Sequence, residues 1–172
     1  MKQVHRGSII HFLGDPDSAD SQCYEYFSDG LMIIEDGLIQ GLCDATQGIK
    51  NLEPDVPVIE HLDSLIMPGF VDCHIHFPQT EVIAAYGEQL LQWLNKYTFP
   101  AESKFKDETY AKAMAEQFLD ELLRAGTTTA LVFGTVHKQS VDAFFEACEH
   151  RNLRMIAGKV MMDRNAPEYL TD

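Results

Sequence analysis

The chain has 172 residues, 45% of them apolar and 23% charged, the proportions of an ordinary soluble globular protein with enough length for one sizeable core. Its 27 acidic against 13 basic side chains leave a formal charge of −14, a field that repels phosphate backbones and anionic lipid and so excludes nucleic acid and membrane as expected partners. No apolar run approaches a membrane span and nothing after Met1–Arg6 reads as a secretory leader, so a cytoplasmic setting is expected.

Residues 1–66 predict a small, mainly β module. Gly7–Phe12, Leu31–Ile34, Leu38–Leu42 and Val58–Leu62 are short β-branched or apolar runs, and Asp36-Gly37 between the second and third is a hairpin signal. Gly14–Ser28, rich in Asp and Ser, predicts a polar surface loop. Cys23, Cys43, Cys73 and Cys148 form no C-x-x-C pair and are read as reduced, with Cys73 and Cys148 as small core residues.

From residue 67 to 172 the pattern alternates β with α. Phe70–Ile75 predicts a strand on which Val71, Cys73 and Ile75 face one way and Phe70, Asp72, His74 and His76 the other. Glu88–Lys96 carries leucines at helical spacing around Trp93. A second helix over Asp107–Ala125 has Asp107 as N-cap, Gly126 as stop, and Ala111, Met114, Ala115, Phe118, Leu122 and Ala125 as its apolar stripe. Thr127–Phe133 reads as a buried strand. Ser140–Arg151 predicts a third helix with Val141, Phe144, Phe145 and Cys148 inward, and Met155–Met162 a third strand. Strand–helix–strand–helix–strand predicts parallel βαβ units, too few to close an eight-stranded barrel. No glycine-rich phosphate loop follows any of the strands.

His74-Ile75-His76 carries the chemistry. Residues two apart on a strand project to one face, and two imidazoles so placed can converge on one metal ion at about 2.0–2.1 Å. Neutral imidazole suits Zn, Fe, Ni or Cu, so ligand type does not name the metal. The alternative is a pair of hydrogen-bonded core histidines. Position at the end of an apolar strand, beside Asp72 and after Met67-Pro68-Gly69, favours ligation; Asp72 serves either the outer shell of the metal or a structural hydrogen bond at the strand end. His5, His11, His61, His137 and His150 lack such company and are read as surface or structural. An H-x-E with P-C-x-x-C, the signature of the other zinc deaminase fold, is absent.

The run Pro68-Gly69-Phe70-Val71-Asp72-Cys73-His74-Ile75-His76 resembles the first barrel strand of the amidohydrolase superfamily. Phe77-Pro78-Gln79, Tyr86-Gly87-Glu88-Gln89-Leu90-Leu91 and Trp93 through Glu102 are similar to the guanine deaminase family, as are Gly126-Thr127-Thr128-Thr129-Ala130 and Gly158 through Asp163. The resemblance is detailed from residue 67 and looser before it. It implies a TIM-like (β/α) barrel, here its first three β/α units (67–172), flanked by a small β-sandwich (1–66, incomplete). It further implies one zinc ion, a cytosolic homodimer, and hydrolytic deamination of guanine to xanthine and ammonia. Carried over by position, His74 and His76 are metal ligands, Gln79 binds the purine through its amide, and Trp93 walls the base. The further histidine, the catalytic glutamate, the substrate arginine and the metal-binding aspartate that the resemblance implies have no counterpart before Asp172. No general acid or base is therefore assigned, the chain end reads as a cut, and the isolated chain is expected to be inactive. A related amidohydrolase acting on another amino-heterocycle or cyclic amide, and a non-catalytic fragment, are the alternatives.

Overall fold

The computed structural model describes residues 1–15, 17, 22–87 and 89–172. The chain divides into two compact units, Met1–Pro68 and Gly69–Asp172. Among the described residues no helix is long and apolar enough to cross a membrane.

The first unit is a four-stranded sheet of order β3-β2-β1-β4, made of β1 (Lys2–Phe12), β2 (Tyr24–Glu35), β3 (Leu38–Asp44) and β4 (Val58–Ile66). β1 runs antiparallel to β2 and parallel to β4. The β2–β3 turn is the expected one: Asp36 and Gly37 both take positive φ, 51° and 81°, which matches the twist of the flanking strands. Asp44 caps the short helix α1 (Ala45–Gly48) by accepting from Thr46 N–H at 2.9 Å. Val4, Leu31 and Ala45 form the buried centre. All four strands are longer than their apolar runs. β2 reaches back to Tyr24, into the segment expected to be a loop, because Tyr24–Phe27 pairs across the ladder with Ile9–Phe12. Of that loop, Pro16 and residues 18–21 lie outside the described residues. A sandwich needs a second facing sheet, and the described residues of this unit form one sheet.

The second unit is a three-stranded parallel sheet of order β5-β6-β7, from β5 (Phe70–His76), β6 (Thr127–Phe133) and β7 (Arg154–Gly158). Between β5 and β6 come α2 (Leu90–Trp93), α3 (Phe99–Ser103) and α4 (Glu108–Arg124); α5 (Lys138–His150) joins β6 to β7. Asp107 caps α4, accepting from Tyr110 N–H at 2.8 Å. Its buried face holds the expected Ala111, Met114, Ala115, Phe118 and Leu122 together with Leu119, while Ala125 at the C-cap is exposed. These side chains close on Phe77, Phe105, Phe144, Ala130 and Val132, and four phenylalanine rings meet with centroids 4.9–6.1 Å apart.

Four expectations in this unit are corrected. α5 turns Ala143 and Ala147 inward with Phe144 and Cys148 and leaves Phe145 41% exposed, because small alanines let the helix lie close to α4 and the sheet. Cys73 is exposed rather than core: β5 is an edge strand, and Ile75 is the residue of its outward face that packs on the helical layer. The single helix expected over Glu88–Lys96 is one α turn followed by a wide π turn, Leu94–Thr98, with Glu88 outside the described residues. Its Leu90 and Leu91 are exposed, Leu94 packs with Phe99, Val136 and Leu170, and the chain continues helical into α3. β7 stops at Gly158, after which Val160 N–H bonds Thr135 O and Met162 O accepts from Asp172 N–H, drawing the chain off the sheet.

One close approach fixes how β5 enters the sheet. A side-chain carbon on Gly69 would stand 2.7 Å from Thr128 Cβ, well inside contact distance, so the strand can pass there only as glycine.

Candidate functional site

The sheet of the second unit has one face under helices and one without. Ala130 and Val132 of β6 point under α4 and α5; Leu131 and Phe133 alternate to the other side. His74 and His76 share that second side, since Phe133 stacks on the His76 ring at 4.8 Å with an interplanar angle of 9° and lies 5.2 Å from His74. The strand parity expected from sequence therefore places both imidazoles opposite the helical layer.

Their aim depends on a break in the ladder. Asp72 Oδ1 accepts the His74 backbone N–H at 2.9 Å, and the register between β5 and β6 shifts between Asp72 and Ile75. Asp72 thus makes the structural bond of the two alternatives. Beyond the irregularity the rings meet edge-on, with His74 Nε2 and His76 Nε2 3.1 Å apart. Burial, and then the neighbouring charge of His74, hold His76 below its ordinary pKa, which favours the neutral ring that ligates metal.

The donor set fits a metal ion in chemistry and spacing. Two nitrogens sharing an ion at about 2.0–2.1 Å each can be at most about 4.1 Å apart, and this pair lies within that limit. Among the described residues no group of three or more His, Cys, Asp or Glu side chains comes together, so these residues offer a metal here at most this pair.

Gln79 lies on the turn just after β5, a 3-10 segment Phe77–Val82 anchored by buried Phe77 and Pro78. Its amide nitrogen stands 3.1 Å from His76 Nδ1. Burial pushes Glu102 up to about 7, and the Gln79 hydrogen bond pulls it partly back. Trp93, at the end of α2, lines a cavity of about 650 Å³ together with His74, His76 and Gln79. The cavity follows the open edge of β5, so it also takes in Ile75 from the opposite face and Phe118 and Leu122 of α4. The structure thus brings His74, His76, Gln79 and Trp93 around one space.

Two members of this arrangement were not anticipated. Phe133 ends a strand whose alternation alone would have aimed it at the histidines once β5 and β6 were known to pair. Glu102 has no spacing that announces it; it sits on α3, whose Phe99 and Ala101 are buried. The first unit holds another unforeseen pair: His5 Nδ1 and His61 Nε2 lie 3.0 Å apart in stacked rings, brought together by β1–β4 pairing across 56 positions.

A profile of the Amidohydrolase family matches residues 65–172. Guanine deaminase of Escherichia coli (strain K12) is 52% identical over 169 residues, 97% of this chain and 38% of that protein. A solved structure of E. coli guanine deaminase superposes with a TM-score of 0.91 at 50% identity, over 99% of this chain and 40% of its own. Guanine deaminase from C. acetobutylicum, solved with guanine bound in its active site, gives a TM-score of 0.80 at 31% identity, covering 100% of this chain and 39% of its own. The chain therefore spans about two-fifths of the length of each of these proteins.

Proposed function

The chain belongs to the amidohydrolase family, and we propose that it supplies the opening barrel strands and two metal ligands of an enzyme that hydrolyses guanine to xanthine and ammonia. The observation that carries this reading is the pair of ring nitrogens 3.1 Å apart at the end of β5, on the sheet face away from the helices, in a chain 52% identical to a guanine deaminase.

In this reading His74 and His76 hold one zinc ion through Nε2. When bound, such an ion supplies Lewis acidity and lowers the pKa of a coordinated water toward 7. The protein's own residues do the rest within their reach. Phe133 stacks on His76 and keeps its ring from rotating. Gln79 has an amide that can pair with the lactam edge of a purine, and Trp93 offers an apolar wall to a flat base. The −14 charge of the chain is no obstacle to a neutral base. We further propose, on the family resemblance, that the whole protein is a cytoplasmic homodimer. General acid and base are assigned to no residue of this chain, so the 172 residues alone are proposed to be without turnover.

The test measures ammonia and xanthine from guanine with the gene product in which this chain lies, before and after chelation and zinc readdition. Chelator-sensitive, zinc-restored turnover that is lost in His74→Ala and His76→Ala is the expected result. Turnover of another amino-heterocycle with none of guanine refutes the substrate, and full activity after exhaustive chelation refutes the metal.

A further inference from the structure

The first unit carries a second pair of imidazoles, spaced almost as His74 and His76 are but oriented differently. His5 Nδ1 and His61 Nε2 lie 3.0 Å apart, with ring planes 18° from parallel and centroids 5.2 Å apart. These near-parallel rings are offset so far that the centroid separation is the N···N distance and the two ring radii laid end to end. Each nitrogen lone pair lies in its own ring plane and therefore points at the other nitrogen. His74 and His76 instead meet at 67°. Edge-on imidazoles suit an ion that gathers its ligands at tetrahedral angles, as zinc does. A collinear pair suits an ion that takes two ligands in a line. Among the metals that imidazole binds, that is the habit of copper in its monovalent state, whose d shell is filled.

We propose that His5 and His61 form a linear two-imidazole site for a soft monovalent ion such as Cu(I), which takes the place of the hydrogen shared between the two rings. Without the ion, one ring donates its N–H to the other. On binding, that hydrogen moves to the outer nitrogen of the ring that carried it, both facing nitrogens present lone pairs, and no proton is lost overall. At about 2.0–2.1 Å per bond a linear unit spans about 4.1 Å, so the two nitrogens part by about 1 Å. The strand that bears His61 can give that much. β4 is an edge strand paired to β1 alone, and its ladder breaks just past His61: Gly7 pairs with His61, but Ser8 pairs with Leu65. Gly7 is what lets the rings meet. A side-chain carbon there would stand 2.8 Å from the His61 carbonyl oxygen and 3.3 Å from His61 Cβ, so any other residue would force His61 away. Both histidines are half-buried, which leaves an ion a way in, and the −14 charge of the chain draws cations toward it. The inference is independent of the reading of His74 and His76.

The experiment is Cu(I) binding to the chain under anaerobic reductant, measured by competition with a chromophoric Cu(I) chelator. Thiols compete for this ion, so the chain carries Cys23→Ser, Cys43→Ala and Cys73→Ser, while Cys148 is buried. Should that chain fail to fold, the parent alkylated at its accessible thiols takes its place. One tightly held ion is expected. His5→Phe and His61→Phe are each expected to weaken it by at least the about 10–100-fold that loss of an outer-shell partner alone costs. His76→Ala is expected to hold it within about twofold, the scatter of independent sites. X-ray absorption at the copper edge, which needs no histidine variant, is expected to show two nitrogen neighbours and no sulfur. Unchanged Cu(I) affinity in His5→Phe or His61→Phe, loss of the tight ion in His76→Ala, or a spectrum with sulfur or with three or more ligands overturns the proposal and leaves the pair a hydrogen bond between strands. None of these outcomes touches the guanine reading, which its own turnover assay decides.

Discussion

Replacing Glu102 by glutamine makes a prediction about stability that can be worked through from the carboxyl's surroundings. Burial raises this group from its ordinary 4.5 to about 7, so between those values the folded chain keeps a proton that the unfolded chain has released. The folded state then binds more protons than the unfolded one, and stability falls as pH rises from about 4.5 through about 7, levelling beyond. Each pH unit across that window is about 1.36 kcal/mol, giving an upper bound of about 3.4 kcal/mol. Glu102 is partly exposed, and solvent screening brings the expected loss to about 1–2 kcal/mol. Glutamine keeps the shape and hydrogen-bonding capacity without the ionisation, so Glu102→Gln should lack this component of the pH dependence. Urea unfolding of both proteins at intervals from pH 4.5 to 8 isolates it as the difference between two curves, cancelling every other titrating group. The variant should gain about 1–2 kcal/mol on the parent across the interval, with equal m-values. Parallel curves, or a parent that gains on the variant as pH rises, would show that the carboxyl is not held in its neutral form and would refute the reasoning.

Gly69→Ala puts a methyl 2.7 Å from Thr128 Cβ and should destabilise the chain by about 1–3 kcal/mol, with Thr128→Gly in the same protein recovering part of the loss; a single variant as stable as the parent in thermal melts would contradict the close approach. Phe77→Ala empties the centre of the four-phenylalanine cluster and should cost about 3–5 kcal/mol in urea unfolding, where a loss under 1 kcal/mol would mean the site collapses freely.

How much could be read from the sequence varied with how local the determining forces are. α4 was legible nearly to the residue, because its cap at Asp107, its stripe and its stop are all encoded within one helix length. The β2–β3 turn was equally plain in two residues. α2 was read correctly as helical and bounded too short: the helix passes through a π turn, Leu94–Thr98, and runs on into α3. α5 was placed correctly and rotated wrongly, since aromatic size suggested Phe145 as core while close packing favoured the smaller Ala143 and Ala147. In the candidate site, strand parity alone put His74 and His76 on one face, and the resemblance supplied Gln79 and Trp93. Glu102 and Phe133 were out of reach because they arrive through tertiary contacts 23 or more positions from Gln79 and His76, as did the His5–His61 pair. Cys73 was misjudged by treating every residue on one strand face alike, when an edge strand is covered along only part of its length.

The bond from the His74 amide to Asp72 has a wider meaning for how this site is specified. A regular parallel ladder would tie alternate main-chain amides of this edge strand to β6 and leave the direction of the imidazoles to the generic pleat. By diverting one amide to a side chain, the strand gains a local freedom that its partner does not share, and the two rings are aimed by that defect more than by the walls around them. Sequence change at the acidic position would therefore be felt as misdirection of its neighbours, even though no atom of either ring had been altered.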